Sequence, residues 1–353
     1  SNVISTSHKT NYNGNYGLNA SWTLYNGSKR LNTIEQEKLN NRIAKLDVAT
    51  SENSIQESIT QTYVQILYAA EAVKVNENTL KVSEAQRDRG KELLAAGSIA
   101  KSDLAQLEAQ CSTDKYQLVT AQATLQDYKL QLKQLLELDG EEEMQLTLPQ
   151  LVDADVLSPL PGKSEVYKSA LVLRPEIEAS RLSVETSKLD IDIARSGYRP
   201  NISLSAGIGT NHTTGSDFTF NGWNNSIGVT LSVPIFNNRQ TKSSIQKAKL
   251  QQQSSQLELQ NQQKILFKTI EGLWLDANSA QQQYAAATEK LRSTQTSFDL
   301  VSEQFNLGMK NTVDLLTEKN NLLSAQQEQL QAKYMVILNA KLLHFYAGDE
   351  INL

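Results

Sequence analysis

One cysteine, Cys111, occurs in 353 residues. A single thiol excludes an intrachain disulfide, and a small side chain within a helix accounts for it. The three histidines, His8, His212 and His344, are too scattered to form a metal-ligand set. No apolar run of about 18 residues is present, so no transmembrane helix is expected, and no signal peptide is visible. A basic surplus is missing as well. The formal net charge is -5, which argues against a nucleic-acid partner. Catalytic motifs are equally scarce. Gly207-Ile208-Gly209 lies in a predicted strand rather than ahead of a helix, so it is no phosphate loop. No Ser/His/Asp set stands out. Neither an enzyme nor a cofactor or metal site is therefore expected. Aromatics are 6% of the chain and prolines number 6. With a mean hydropathy of -0.44, this is the profile of long helices with much exposed surface.

What the chain does have is a repeat. At an offset of 211, Gly17 falls on Gly228, Ile34 on Ile245, Ile59 on Ile270, Gly97 on Gly308, Asp103 on Asp314 and Leu132 on Leu343. One register held over so long a span means a duplicated structural unit. Each copy opens with a strand. Tyr16, Leu18, Ala20, Trp22 and Leu24 alternate with Gly17, Asn19, Ser21 and Thr23; Ile227, Val229, Leu231, Val233 and Ile235 alternate with Gly228, Thr230 and Ser232. A third strand, Ile202 to Ile208, precedes the second of these across a polar loop at Thr210–Asn225, forming a hairpin. One face is apolar and the other small and polar, as in a transmembrane barrel with lipid outside and a lumen within; a soluble sandwich also fits the alternation.

A long helix follows each repeated strand. Leu31, Ile34, Leu39, Ile43, Leu46, Ile55, Ile59 and Tyr63 recur mostly every three or four residues, a narrow coiled-coil-like stripe. The pattern predicts helices over 28–90 and 98–138, turning at Gly97, and over 239–301 and on to about 347, turning at Gly308. The acidic run Glu141-Glu142-Glu143 is read as a solvated face. Pro175 opens a helix over 175–196. The expected organisation is a first repeat at 1–138 (strand 14–26, helical hairpin 28–138), a connecting region at 139–174, and a second repeat at 175–353. The second repeat comprises helix 175–196, β-hairpin 200–236 and helical hairpin 239–347. By the offset, the first copy's counterpart of 175–212 would precede residue 2, so its first helix and strand are expected to be missing.

Several motifs then fall in a telling order. Leu173-Arg174-Pro175-Glu176-Ile177 opens a helix, and Gly197-Tyr198-Arg199-Pro200-Asn201 enters a strand. The junctions Trp22-Thr23-Leu24-Tyr25-Asn26-Gly27 and Val233-Pro234-Ile235-Phe236-Asn237-Asn238 lead into the long helices. The turns Ala96-Gly97-Ser98 and Leu307-Gly308-Met309 are each followed by an Asp six residues after the Gly. With these motifs the chain resembles the TolC-like outer-membrane factors. The resemblance implies a mainly α fold with a small β part. Long antiparallel helical hairpins would form an α-barrel in the periplasm, and three protomers would close a transmembrane β-barrel in the outer membrane of a Gram-negative bacterium. It implies a homotrimeric exit duct of an efflux pump or type I secretion system. The partners would be outer-membrane lipid, a periplasmic adaptor and an inner-membrane transporter, with 139–174 at the equator.

The same resemblance implies a gate at the helix tips. Asp314 matches an aperture-ring aspartate, and the position of a second is Thr317. Asp103 and Ser102 match positions that bridge to the neighbouring hairpin, where the partner positions hold Phe305 and Lys310. Phe305 lacks a hydroxyl to donate, and Lys310 offers a point charge without the fork of an arginine. The expectation is a cation-preferring channel with weakened closure, docking its adaptor at Ala96, Gly97, Ser98, Leu307, Gly308 and Met309. On residues alone, an Asp just past a turn also serves to stabilise a helix N-terminus. A soluble coiled-coil adaptor is the competing reading; the duplication and the three lipid-type strands oppose it.

Overall fold

A computed structural model describes residues 13–139, 146, 156–213 and 220–349. The acidic run at 141–143, His8, and the side chain of His212 lie outside the described residues. The elements in chain order are β1 (Asn13–Asn26), α1 (Lys29–Ala95), α2 (Lys101–Leu135), α3 (Lys163–Leu173), α4 (Pro175–Arg195), β2 (Asn201–Thr213), β3 (Phe220–Ser232), α5 (Gln240–Asn306) and α6 (Thr312–Ala347). Both α1 and α5 have 67 residues, about 100 Å at helical rise.

By compactness the chain divides into residues 1–46 with 178–261, and residues 47–177 with 262–353. The division runs across the repeats, since each copy contributes to both units.

In the first unit, β1, β2 and β3 form an antiparallel sheet in that order. Its register sorts the side chains. Leu18 faces Ile208, Ala20 faces Ala206 and then Ile227, and Trp22 faces Leu204 and then Val229. The alternate row joins Asn19, Gly207 and Ser226, and then Ser21, Ser205 and Gly228. Because side chains alternate with period two, these pairings gather every large apolar residue on one face. The strands exceed the expected pattern at the polar end, where Thr210–Thr213 and Phe220–Asn225 pair rather than loop. At the other end β3 stops at Ser232, short of the apolar Val233 and Ile235. Pro234 follows and has no N–H for a ladder.

The strand-to-helix junctions show the repeat at the level of the backbone. Gly27 and Ser28 have φ of 67° and 69°; their counterparts Asn238 and Arg239 have 47° and 61°. A 3-10 turn at Ser196–Tyr198 wedges between the two junctions. Arg199 donates to the Gly27 carbonyl at 3.0 Å, and Thr241 donates to that of Gly197 at 3.4 Å. A Cβ on Gly27 would lie 2.7 Å from Arg199 Cβ, so the residue must be glycine to admit this turn. That is the local reason for the Gly197-Tyr198-Arg199-Pro200-Asn201 motif.

In the second unit, α1, α5 and α6 share a core of Val64, Leu67, Ala280, Tyr284, Leu330, Tyr334, Val336 and Ile337. Small α3 packs on α6. The motif around Pro175 has its physical role here. Arg174 caps α3, with its side chain only 8% exposed. The guanidinium meets Glu57 at 3.0 Å and Glu176 at 2.9 Å, and lies 4.3 Å over the Tyr346 ring and 5.3 Å over Phe345. Burial works against its charge, but Glu176, Tyr346 and Glu57 outweigh that and hold its pKa above the ordinary value. One residue thus clamps α1, the start of α4 and the end of α6.

Candidate functional site

The tips close both hairpins by the same motif. Ser98 N–H donates to the Leu93 carbonyl at 2.8 Å and Gly97 N–H to that of Leu94 at 2.9 Å. In the second copy Met309 donates to Gln304 at 2.9 Å and Gly308 to Phe305 at 2.9 Å. This paired pattern needs a left-handed residue just past the helix, and Gly97 and Gly308 have φ of 75° and 74°. The turn residues differ in what they display. Ala96, Gly97 and Ser98 are exposed and small, whereas Leu307 and Met309 are 69% and 72% exposed beside Gly308. The outgoing helices run past Gly90 and Val301 to Ala95 and Asn306. Gly90 is not a terminus: it is buried, and a Cβ there would lie 2.5 Å from Leu107 Cδ1. The return helices start at Lys101 and Thr312, since the turn and its caps use the residues before them.

The two aspartates do different work. Asp103 reaches back and accepts from the Ala100 N–H at 3.1 Å. Its N-cap is an alanine with no acceptor, so the carboxylate serves an orphan amide instead. In the second copy Asn311 is the N-cap and accepts from the Asp314 N–H at 2.8 Å. The cap is therefore supplied from the other side, and the Asp314 carboxylate is released. It pairs with Lys310 at 3.5 Å, both side chains being about four-tenths exposed. A pair so exposed contributes at most about 1 kcal/mol.

Lys310, in the turn, meets Asp314 of the helix that follows it; among the described residues no ion pair joins it to Asp103 or Ser102. Phe305 is 2% exposed, packed with Leu93, Leu107, Phe298, Leu315 and Leu322 beneath the tip. An aromatic ring there fills the core. Thr317 is exposed and its hydroxyl donates to the Val313 carbonyl at 2.8 Å. Ser102 is exposed.

Sequence reasoning missed the residues that join the two hairpins. Arg89 Nη2 donates to the Asn306 carbonyl at 3.4 Å, a cation on the C-terminal end of α5. Deeper lies a buried cluster: Lys319 of α6 contacts both the Asp114 carboxylate of α2 and the Ser83 hydroxyl of α1, and Ser83 donates to Asp114. Gln110 donates to the other Asp114 oxygen at 2.9 Å. The Lys319 and Asp114 side chains are 4% and 1% exposed. On a helical wheel each looks like one more surface charge; only three-helix packing makes them a pair.

Among the described residues no helix is long and apolar enough to cross a membrane, and no His/Cys/Asp/Glu group could hold a metal ion. The sheet, however, carries an exposed apolar face between two aromatic rows. Tyr16 and Trp223 lie near one end, 64% and 70% exposed, and Trp22 near the other, 55% exposed. Tyr16 and Trp22 both pair in β2, with Thr210 and Leu204. Six residues of strand separate the rows, about 20 Å, near the roughly 25 Å apolar band of a membrane barrel.

Comparison with known proteins agrees with this geometry. The BepC outer membrane efflux protein of Brucella suis biovar 1 is 24% identical over 327 residues, covering 92% of this chain and 70% of that protein. TolC of Escherichia coli K12 is 22% identical over 288 residues, covering 78% of this chain and 58% of TolC. Among solved structures, CusC superposes with a TM-score of 0.81 at 21% identity, covering 99% of this chain and 81% of that one. The open state of the Neisseria gonorrhoeae MtrE outer membrane channel gives 0.77 at 19%, covering 97% and 81%. The family profile for outer membrane efflux proteins matches residues 1–137 and 166–349. The chain belongs to the outer membrane efflux protein family.

Proposed function

We propose that the chain works as one protomer of a trimeric exit duct. Its strands cross the outer membrane, and its helical tips form the periplasmic gate and the docking points for an adaptor. The family is one of outer-membrane channel and transport proteins, so the role needs no catalytic group. The observation that carries the reading is the sheet. Its register puts Leu18, Trp22, Leu204, Ile227 and Val229 on one face and Gly, Ser and Asn on the other. Among the described residues β1 and β3 each have one unpaired edge. An exposed apolar face with two open edges suits neither a soluble adaptor nor an isolated chain. Copies joined edge to edge satisfy both demands, with lipid outside and a polar lumen inside.

The gate rests on Asp314, whose carboxylate is left free of capping duty by Asn311. A ring of three such groups gives a cation preference, tempered by Lys310 at 3.5 Å. The test is bilayer conductance of the full-length protein purified in detergent. A trimer is expected, passing cations over anions, with Asp314→Ala reducing both selectivity and block by multivalent cations. A soluble monomer would sink the duct, and unchanged selectivity and block in Asp314→Ala would sink the ring.

A further inference from the structure

The charges are unevenly shared. Residues 1–46 and 178–261 hold 14 Lys and Arg against 8 Asp and Glu, net +6; the remainder of the chain holds 20 against 31, net −11. The basic surplus concentrates at one edge of the sheet. No acid precedes Glu35, and Asp217 is the sole acid between Asp192 and Glu258. At the edge where β1 ends, β2 begins and β3 ends stand Lys29, Arg30, Arg199, Arg239 and Lys242. All five are exposed, and among the described residues none of them has a carboxylate partner. Arg30 and Arg199 reach backbone carbonyls, of Thr23 at 3.4 Å and Gly27 at 3.0 Å.

Their placement runs against helix electrostatics. The N-terminus of a helix favours acids, yet α1 and α5 have no acid in their first turns. Lys29, Arg30 and Lys242 stand there instead. Helix dipoles and side-chain charges of one sign therefore add at this edge, and among the described residues no carboxylate pairs with these five cations.

The neighbouring residues identify the anion. Trp22, Tyr25 and Phe236, exposed at 55%, 41% and 85%, lie at this same edge. Aromatics that end an apolar band sit at headgroup depth. Phe236 is three residues before Arg239, and Trp22 seven before Lys29. The cations thus follow directly on the apolar strand face, at the level of lipid phosphates. We propose that this edge binds anionic phospholipid headgroups, such as phosphatidylglycerol, in the membrane leaflet on the helix side of the sheet. The inference rests on the membrane reading of the strands given above. A polybasic surface beside an anionic leaflet is held by attraction to phosphate that salt screens.

Two tryptophans on one face make the test internal. Trp22 reports the cationic edge, and Trp223 the opposite end. Full-length protein carrying either one as its sole tryptophan (the others changed to Phe) is reconstituted in bilayers mixing phosphatidylglycerol and phosphatidylcholine, with one or the other brominated. Quenching should show phosphatidylglycerol enriched about fivefold at Trp22, the factor equivalent to about 1 kcal/mol for one cation at an anionic surface. No enrichment is expected at Trp223. Lys29→Gln, Arg239→Gln and Lys242→Gln together should sharply reduce the enrichment at Trp22; Arg30 and Arg199 stay, because they brace the junction. Equal quenching by both lipids at Trp22, equal enrichment at Trp223, or enrichment undiminished by the triple change overturns the headgroup site alone. Tryptophans that neither lipid quenches overturn the membrane reading with it.

Discussion

Replacing Lys319 with Met exposes how the hairpins are held together. The ammonium contacts Asp114 and Ser83 in a site where its own side chain is 4% exposed and that of Asp114 1%. Met fills nearly the same volume, so packing survives, but among the described residues the Asp114 carboxylate is left with Ser83 and Gln110 as its hydrogen-bond donors. Breaking a buried pair from one side costs about 3–5 kcal/mol, because a charge stays buried without compensation. Removing both charges is a different matter. Lys319→Met with Asp114→Leu should come out between neutral and about 4 kcal/mol more stable than the single variant's parent, since desolvation of the pair disappears with it. Ser83 then turns its hydroxyl to the carbonyl one helical turn earlier, as Thr79 and Thr60 already do. Urea unfolding of the detergent-purified protein, followed by circular dichroism, measures both. The single variant should unfold at markedly lower urea and the double should recover. A loss below about 1 kcal/mol in Lys319→Met, or a double variant as weak as the two singles combined, refutes the buried-pair argument. A second readout concerns the gate. Lys319 lies five residues beyond Asp314 on α6, about 7.5 Å of helix. Freed of its tie to α1 and α2, α6 should give longer open dwell times in the double variant even though stability is restored.

Three further outcomes follow from local geometry. Gly97→Ala and Gly308→Ala should each lower stability by about 1–2 kcal/mol through left-handed backbone alone, since nothing lies within 4 Å of either added Cβ; Asn at the same positions should cost less in the same unfolding assay. Gly90→Ala meets Leu107 Cδ1 at 2.5 Å, so about 1–3 kcal/mol of overpacking should exceed the roughly 1 kcal/mol gained in helix propensity, and Leu107→Val on the same background should relieve it. Tyr346, by burial and by Glu57, and Tyr334, by burial and by Glu71, are both pushed up to about 12. Their folded pKa values exceed the unfolded one, so the stability they contribute is intact below about pH 10 and is lost as pH rises toward 12; tyrosinate absorbance should rise for these two only as circular dichroism is lost.

Where periodicity carried the information, the sequence could be read directly. Alternation in Tyr16–Leu24 and Ile227–Ile235 marks strands because the pleat has period two, and the gap-free offset from Gly17 to Leu132 reports duplication. Boundaries were harder where a residue has two uses. Gly90 reads as a helix end but is a contact with Leu107; Pro234 stops β3 although the apolar alternation continues beyond it. The site was partly legible. The glycine turns and the two aspartates were visible, whereas the roles of those aspartates depend on whether the N-cap is Ala100 or Asn311. Phe305 could not be told from a surface aromatic without the five apolar side chains around it.

Sequence by itself determined the repeat, the strand faces, the helical hairpins with their left-handed turns, and the absence of acid from the strand ends. The repeat shows in one constant offset, and the others are set by near neighbours: a few residues along a strand, three or four along a helix, or one φ angle at a glycine. Tertiary structure alone decided that Lys319 meets an aspartate 205 positions away and that Arg174 is enclosed by Glu57, Glu176 and Tyr346. A charge carries no mark of its burial. Whether it faces water or another charge is fixed by which helices pack across it, and those helices come from opposite ends of the chain.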